Sequence, residues 1–234
     1  GLAERVGGIG VAIDLGRARN DGQTLPEGLG ETLPAIEKLG ELARRHRTLP
    51  PNGTLSGGVP HTMRLSVLDQ SPVRSGSTAA AAVQETLELA EAAERLGYHR
   101  YWLAEHHATA GLAGTCPEVL IPAVAARTSR IRVGSGGVML QHYSALKVAE
   151  QFRMLETLFP GRIDLGIGRA PGSDQRTARA LREGPDAYFP QQVADVLAWM
   201  RDGLPAEHPF RGVSAMPLGP TSPDVWLLGS SMWS

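Results

Sequence analysis

Three ionisable side chains stand together at Glu105, His106 and His107, directly after the aromatic and apolar run Tyr101, Trp102, Leu103. A carboxylate beside two imidazoles at the end of a buried strand reads as a reactive, ionisable cluster. One chemistry such residues offer is metal binding. Neighbours along an extended chain alternate in direction, however, and a catalytic metal needs three convergent ligands, so no metal is expected. A hydrolase is not expected either. There is no GxSxG elbow, and Cys116, the only cysteine, precedes Pro117 with no activating partner close in sequence.

Four more sets of small or polar residues follow apolar runs: Asp69 with Gln70; Ser135, Gly136 and Gly137; Gly166, Gly168 and Arg169; and Gly229, Ser230 and Ser231. Glycines let a planar ligand approach the backbone, and an arginine or serine hydroxyls can hold an anion. The run GIGRAPG, Gly166 to Gly172, is spaced GxGxxxG, and no acidic residue closes a second strand at the expected distance, so it is a weak nicotinamide signature. The run LLGSSMWS, Leu227 to Ser234, puts hydroxyls at the start of an expected helix. There they either bind phosphate or simply cap the helix.

The elements that must carry these sets are regular. Strands are predicted at Leu65–Leu68, Tyr101–Leu103, Ile131–Val133, Ile163–Leu165 and Val225–Leu228, with helices near 78–96, 117–127, 146–158 and 191–201. The first four strands recur about every 30 residues with a helical pattern in each gap, as βα units do. The expected fold is therefore α/β with a parallel sheet, open or closed into a barrel, and all five sets line the carboxyl ends of its strands. Residues 203–223, dense in Pro and Gly, read as an inserted loop. Residues 1–62 read as a low-structure N-terminal extension without chemistry, holding one plausible helix at Leu33–Arg45, and the domain is expected over 63–234.

With 42% hydrophobic residues, 20% charged and a net charge of −1, the composition points to an ordinary soluble globular protein, with no nucleic acid or membrane as partner. One cysteine excludes a disulfide framework within the chain and suits a reducing, cytoplasmic setting. Glu4 and Arg5 precede the short apolar run Val6–Ile13, and no cleavage site follows, so no signal peptide is expected.

In this order, the motifs LSVLDQSPV, GYHRYWLAEHH, RIRVGSGGVML, PGRIDLGIGRAPG and VWLLGSS resemble the luciferase-like monooxygenase family, flavin-dependent enzymes that include bacterial luciferase. The resemblance implies a TIM-type (β/α)8 barrel that binds reduced FMN, supplied by a reductase, and uses O2 on a small organic substrate such as an aldehyde. By motif, His106 matches a histidine that assists proton transfer beside the flavin. Ser135, Gly136 and Gly137 match the strand under the flavin ring, the two glycines being joined by a cis peptide. Gly168 stands where luciferase has a cysteine. Arg169, Ser230, Ser231 and Ser234 match phosphate contacts, while Gln191 or Gln192 stands near a second phosphate arginine. A deazaflavin is the alternative cofactor. About 170 of the 234 residues follow Met63, whereas an eight-unit barrel takes roughly 250, so an incomplete barrel of about five βα units is expected. Exposed strand edges in such a sheet favour a homo-oligomer. A non-catalytic flavin-binding or partner subunit, or an inactive truncated fragment, is the alternative to an active enzyme.

Overall fold

The structure, a computed structural model, describes residues 4–5, 8–14, 64–169, 172–181, 185, 188–201 and 203–229. Its elements in chain order are β1 (Glu4–Arg5), β2 (Gly8–Asp14), β3 (Arg64–Asp69), α1 (Ala79–Leu96), β4 (Arg100–Leu103), α2 (Pro117–Arg127), β5 (Arg132–Met139), a 3-10 turn (Leu140–His142), α3 (Ala145–Leu158), β6 (Ile163–Gly168), α4 (Gln175–Ala180), α5 (Phe189–Met200) and β7 (Asp224–Leu227). One sheet runs β1 to β7 in sequence order. Only the β1–β2 pair is antiparallel. Among the described strands β7 pairs with β6 alone, so the sheet is open, as an incomplete barrel requires.

Period-two alternation decides which side of the sheet is packed. Leu65 and Val67, Tyr101 and Leu103, and Ile163, Leu165 and Ile167 join one core cluster with Leu89, Ala90 and Ala93 of α1, Ile121 and Val124 of α2, Val148 and Phe152 of α3, and Val196 of α5. Helix α1 begins where Thr78 accepts a hydrogen bond from Ala81 N at 3.1 Å, and it stops at Gly97, whose φ of +83° is left-handed. The opposite face begins with an ionic layer. Asp164, fully buried, accepts from Arg100 Nε at 2.9 Å, Trp102 Nε1 at 3.0 Å and Arg132 Nη2 at 2.6 Å. Above that layer Trp102 and Trp226 meet edge to face, with ring centroids 5.4 Å apart.

The structure departs from the sequence reading in three places. The segment read as a low-structure extension contributes β1 and β2, and β2 adds to the sheet parallel to β3; its other expected element, the helix at Leu33–Arg45, lies outside the described residues. Ser135, Gly136, Gly137, Gly166 and Gly168 lie within β5 and β6 rather than after them, because close approach of neighbouring chains there overrides the poor strand preference of glycine. Helix α4 is an added turn in the loop after β6, started by Asp174, which accepts from Thr177 N at 2.9 Å.

Candidate active site

The carboxyl end of the sheet is organised by Glu105. Strand β4 ends at Leu103, and the chain turns so that this carboxylate is buried, 1% exposed, between two loops. One oxygen accepts from Tyr143 Oη at 2.8 Å and meets His107 Nε2 at 2.6 Å, while the other accepts from Met139 N at 3.0 Å. A buried charge persists only when it is so partnered. Burial, and then the charge of Glu105, hold the Tyr143 phenol well above its ordinary range, so it stays a donor. Burial also raises the Glu118 carboxyl, with the Glu105 charge adding to it. His107 and His142 meet edge to face, with centroids 5.8 Å apart.

His106 is half-buried and held by its own backbone, whose N–H donates to Gly114 O at 2.9 Å. His107 N in turn donates to Gly172 O at 3.0 Å, joining the loop after β4 to the loop after β6. Both histidines line an open cavity of about 440 Å3, within the usual size for a small-molecule site.

Register places the remaining residues beside this loop. Ser135 pairs with Leu165 and Val138 with Ile167, so β5 carries one residue more than β6 across Gly136–Gly137, a bulge of the kind found beside active sites. The Gly136–Gly137 peptide is cis, as the resemblance implies. A Cβ on Gly136 would lie 2.5 Å from Leu68 Cδ1, and one on Gly168 would lie 2.7 Å from Met139 Cε, so glycine lets these side-chain ends pack against the strand there. Gly168 pairs with Met139, and the exposed Arg169 follows it. Arg169 makes no ion pair among the described residues.

His106, Gly136, Gly137, Gly168 and Arg169 thus share the carboxyl ends of neighbouring strands. Ser135 does not present its hydroxyl there. Its side chain is fully buried, donates to Gly166 O at 2.8 Å and accepts from Gly166 N at 3.0 Å, a cross-strand staple. Ser230, Ser231 and Ser234 lie outside the described residues. Gln192 donates to Tyr143 O at 3.1 Å and Gln191 to Asp195 Oδ1 at 2.7 Å, so both amides hold local structure. Sequence reasoning missed the hub formed by Glu105, Tyr143 and Met139. Tyr143, in the polar turn after β5, carried no motif of its own. Among the described residues no group of three or more His, Cys, Asp or Glu could hold a metal, and no helix is long and apolar enough to cross a membrane.

The family model described as luciferase-like monooxygenase matches residues 63–234. The chain is 51% identical over 178 residues to a luciferase-like monooxygenase of Escherichia coli K12, covering 74% of this chain and 51% of that protein. It is 47% identical over 172 residues to the N-acetyl-S-alkylcysteine monooxygenase of Bacillus subtilis 168, covering 72% and 52%. Among solved structures it is similar to apo-MsnO8, with a TM-score of 0.65 and 46% identity over 72% of this chain and 50% of that one. The chain therefore spans about half the length of the curated relatives it matches.

Proposed function

This chain belongs to the luciferase-like monooxygenase family, and on that premise we propose that its strand-end face binds reduced FMN and serves O2-dependent oxygenation of a small organic substrate. When bound, the reduced flavin supplies the two electrons with which one oxygen atom enters the substrate and the other leaves as water. One observation carries the reading: strand register brings the His106 loop, the Gly136–Gly137 bulge, and Gly168 with Arg169 to one edge.

These residues fit a flavin. A flat ring system needs backbone without Cβ atoms beneath it, which Gly136 and Gly137 provide, and a terminal phosphate needs a planar cation such as the exposed Arg169. Ser230, Ser231 and Ser234 are the proposed hydroxyl partners of that phosphate. His106, in the cavity wall, holds or moves a proton at its imidazole. Aldehydes and, following the relative that by its name oxygenates N-acetyl-S-alkylcysteines, thioethers are the substrates to examine, with reduced flavin delivered by a separate reductase.

Flavin binding tests the reading on the chain itself. FMN should raise the melting temperature, by the equivalent of about 2.7 kcal/mol at a hundred times its Kd. Arg169→Ala should weaken FMN roughly ten- to a hundredfold and leave riboflavin, which lacks the phosphate, unchanged. A melt unmoved by FMN but raised by a deazaflavin would transfer the site to that cofactor, and a melt unmoved by either would end the flavin assignment. In an oxygen-uptake assay with photoreduced flavin, His106→Ala should lower turnover on the order of a hundredfold while flavin affinity stays near that of the parent.

A further inference from the structure

The cavity beside His106 is built mostly from groups that hydrogen-bond. Its wall carries the Gln70 carboxamide, the Thr109 hydroxyl, Ser173 and the two imidazoles, while its apolar part is alanines and a single leucine, Leu112. Thr109 Oγ1 donates to His107 O at 3.2 Å, which leaves the lone pairs of the hydroxyl oxygen to accept from a ligand. Asp174 stands at the rim, fully exposed, and its hydrogen bonds from Thr177 hold its carboxyl below the ordinary range.

Size and polarity together restrict what can bind. At about 440 Å3 the space takes a small organic molecule. A straight aliphatic chain would find little apolar wall to cover it and would strand the amide and hydroxyl groups it displaced from water, which is the stronger penalty. We propose that this cavity is a substrate subsite for a small molecule bearing an amide, with Gln70 and Thr109 as its specificity-determining contacts. This rests on the oxygenase reading above, because His106 lies in the same wall and would face whatever occupies it.

The test uses the full chain, with N-acetylmethioninamide as the amide probe and undecanal as the aliphatic one, their binding followed by saturation-transfer NMR and calorimetry. The amide should bind at least tenfold more tightly than the aldehyde. Gln70→Leu and Thr109→Val should each weaken it about five- to tenfold, as loss of one neutral hydrogen bond does, without moving FMN affinity. Tighter binding of undecanal, or amide binding unmoved by both substitutions, would overturn the assignment. Should FMN fail to bind while the amide behaves as expected, the flavin reading falls and the amide subsite stands. Loss of the amide alone, with FMN retained, removes the subsite only.

Discussion

Glu105, His106 and His107 were visible in the sequence as an ionisable cluster at a strand end, and the family resemblance implied a proton-transfer role for His106. What Glu105 does was not visible, because its partners Met139 and Tyr143 stand 34 and 38 residues away and carry no motif. Removing the carboxylate should therefore act on stability before chemistry. Glu105→Ala leaves the Met139 amide and the Tyr143 hydroxyl without their acceptor, which should cost about 2 to 4 kcal/mol in urea unfolding. A loss under 1 kcal/mol would mean that water replaces the carboxylate easily. His99 adds a titration of its own. Burial, and then the charges of Arg100 and Arg64, push its pKa down from 6.5 to about 4. Between those values the unfolded chain binds a proton that the folded chain refuses, so stability is full above pH 6.5 and falls as pH drops towards 4. Replacing His99 with Gln should flatten that part of the stability-versus-pH curve, measured by thermal melts in a pH series.

Strands and helices were more legible than contacts. The predicted helices at 78–96 and 117–127 match α1 and α2 nearly residue for residue, since a capped amphipathic pattern closed by Gly97 leaves little freedom. Strands β5 and β6 were cut short because glycine is a poor strand former; only the close approach of adjacent chains reveals why Gly137 and Gly166 belong inside them. The same lateral packing explains the ionic layer below the two tryptophans. Arg100, Arg132 and Asp164 each begin or nearly begin a different strand, and nothing in their separate sequences links them. Register alone brings them together. The guanidinium of Arg100 also lies over Trp226, 4.7 Å from the ring centroid. Asp164→Asn would leave Arg100 and Arg132 with the partly exposed Asp224 as their remaining carboxylate, 3.8 and 3.2 Å away, and should cost about 3 kcal/mol in chemical denaturation. Pairing the substitution with Arg132→Met should recover part of that loss, since one of the stranded charges is then gone.

At the scale of the whole molecule, five βα units and the parallel sheet followed from periodicity, but the use made of residues 8–14 did not. Strand β2 pairs in parallel with β3, Gly10 opposite Arg64 through to Asp14 opposite Leu68. Partners so far apart in sequence leave no local signal. A parallel barrel pairs its first strand with its last, so β2 lies along the edge of β3 that a closing strand would otherwise take. An unpaired edge flanked by Leu65 and Val67 is a template for other chains. Strand β2 then covers that edge. A chain beginning at Met63 should self-associate at concentrations where the full chain sediments as one species. Val11→Pro, which removes a ladder N–H in β2 while keeping the length, should move sedimentation in the same direction. Riboflavin affinity should change little in either variant, because β2 lies on the far side of β3 from the glycines of β5 and β6. If the shortened chain and the proline variant both stayed monodisperse across the concentration series, the β3 edge would need no cover and β2 would contribute nothing to solubility.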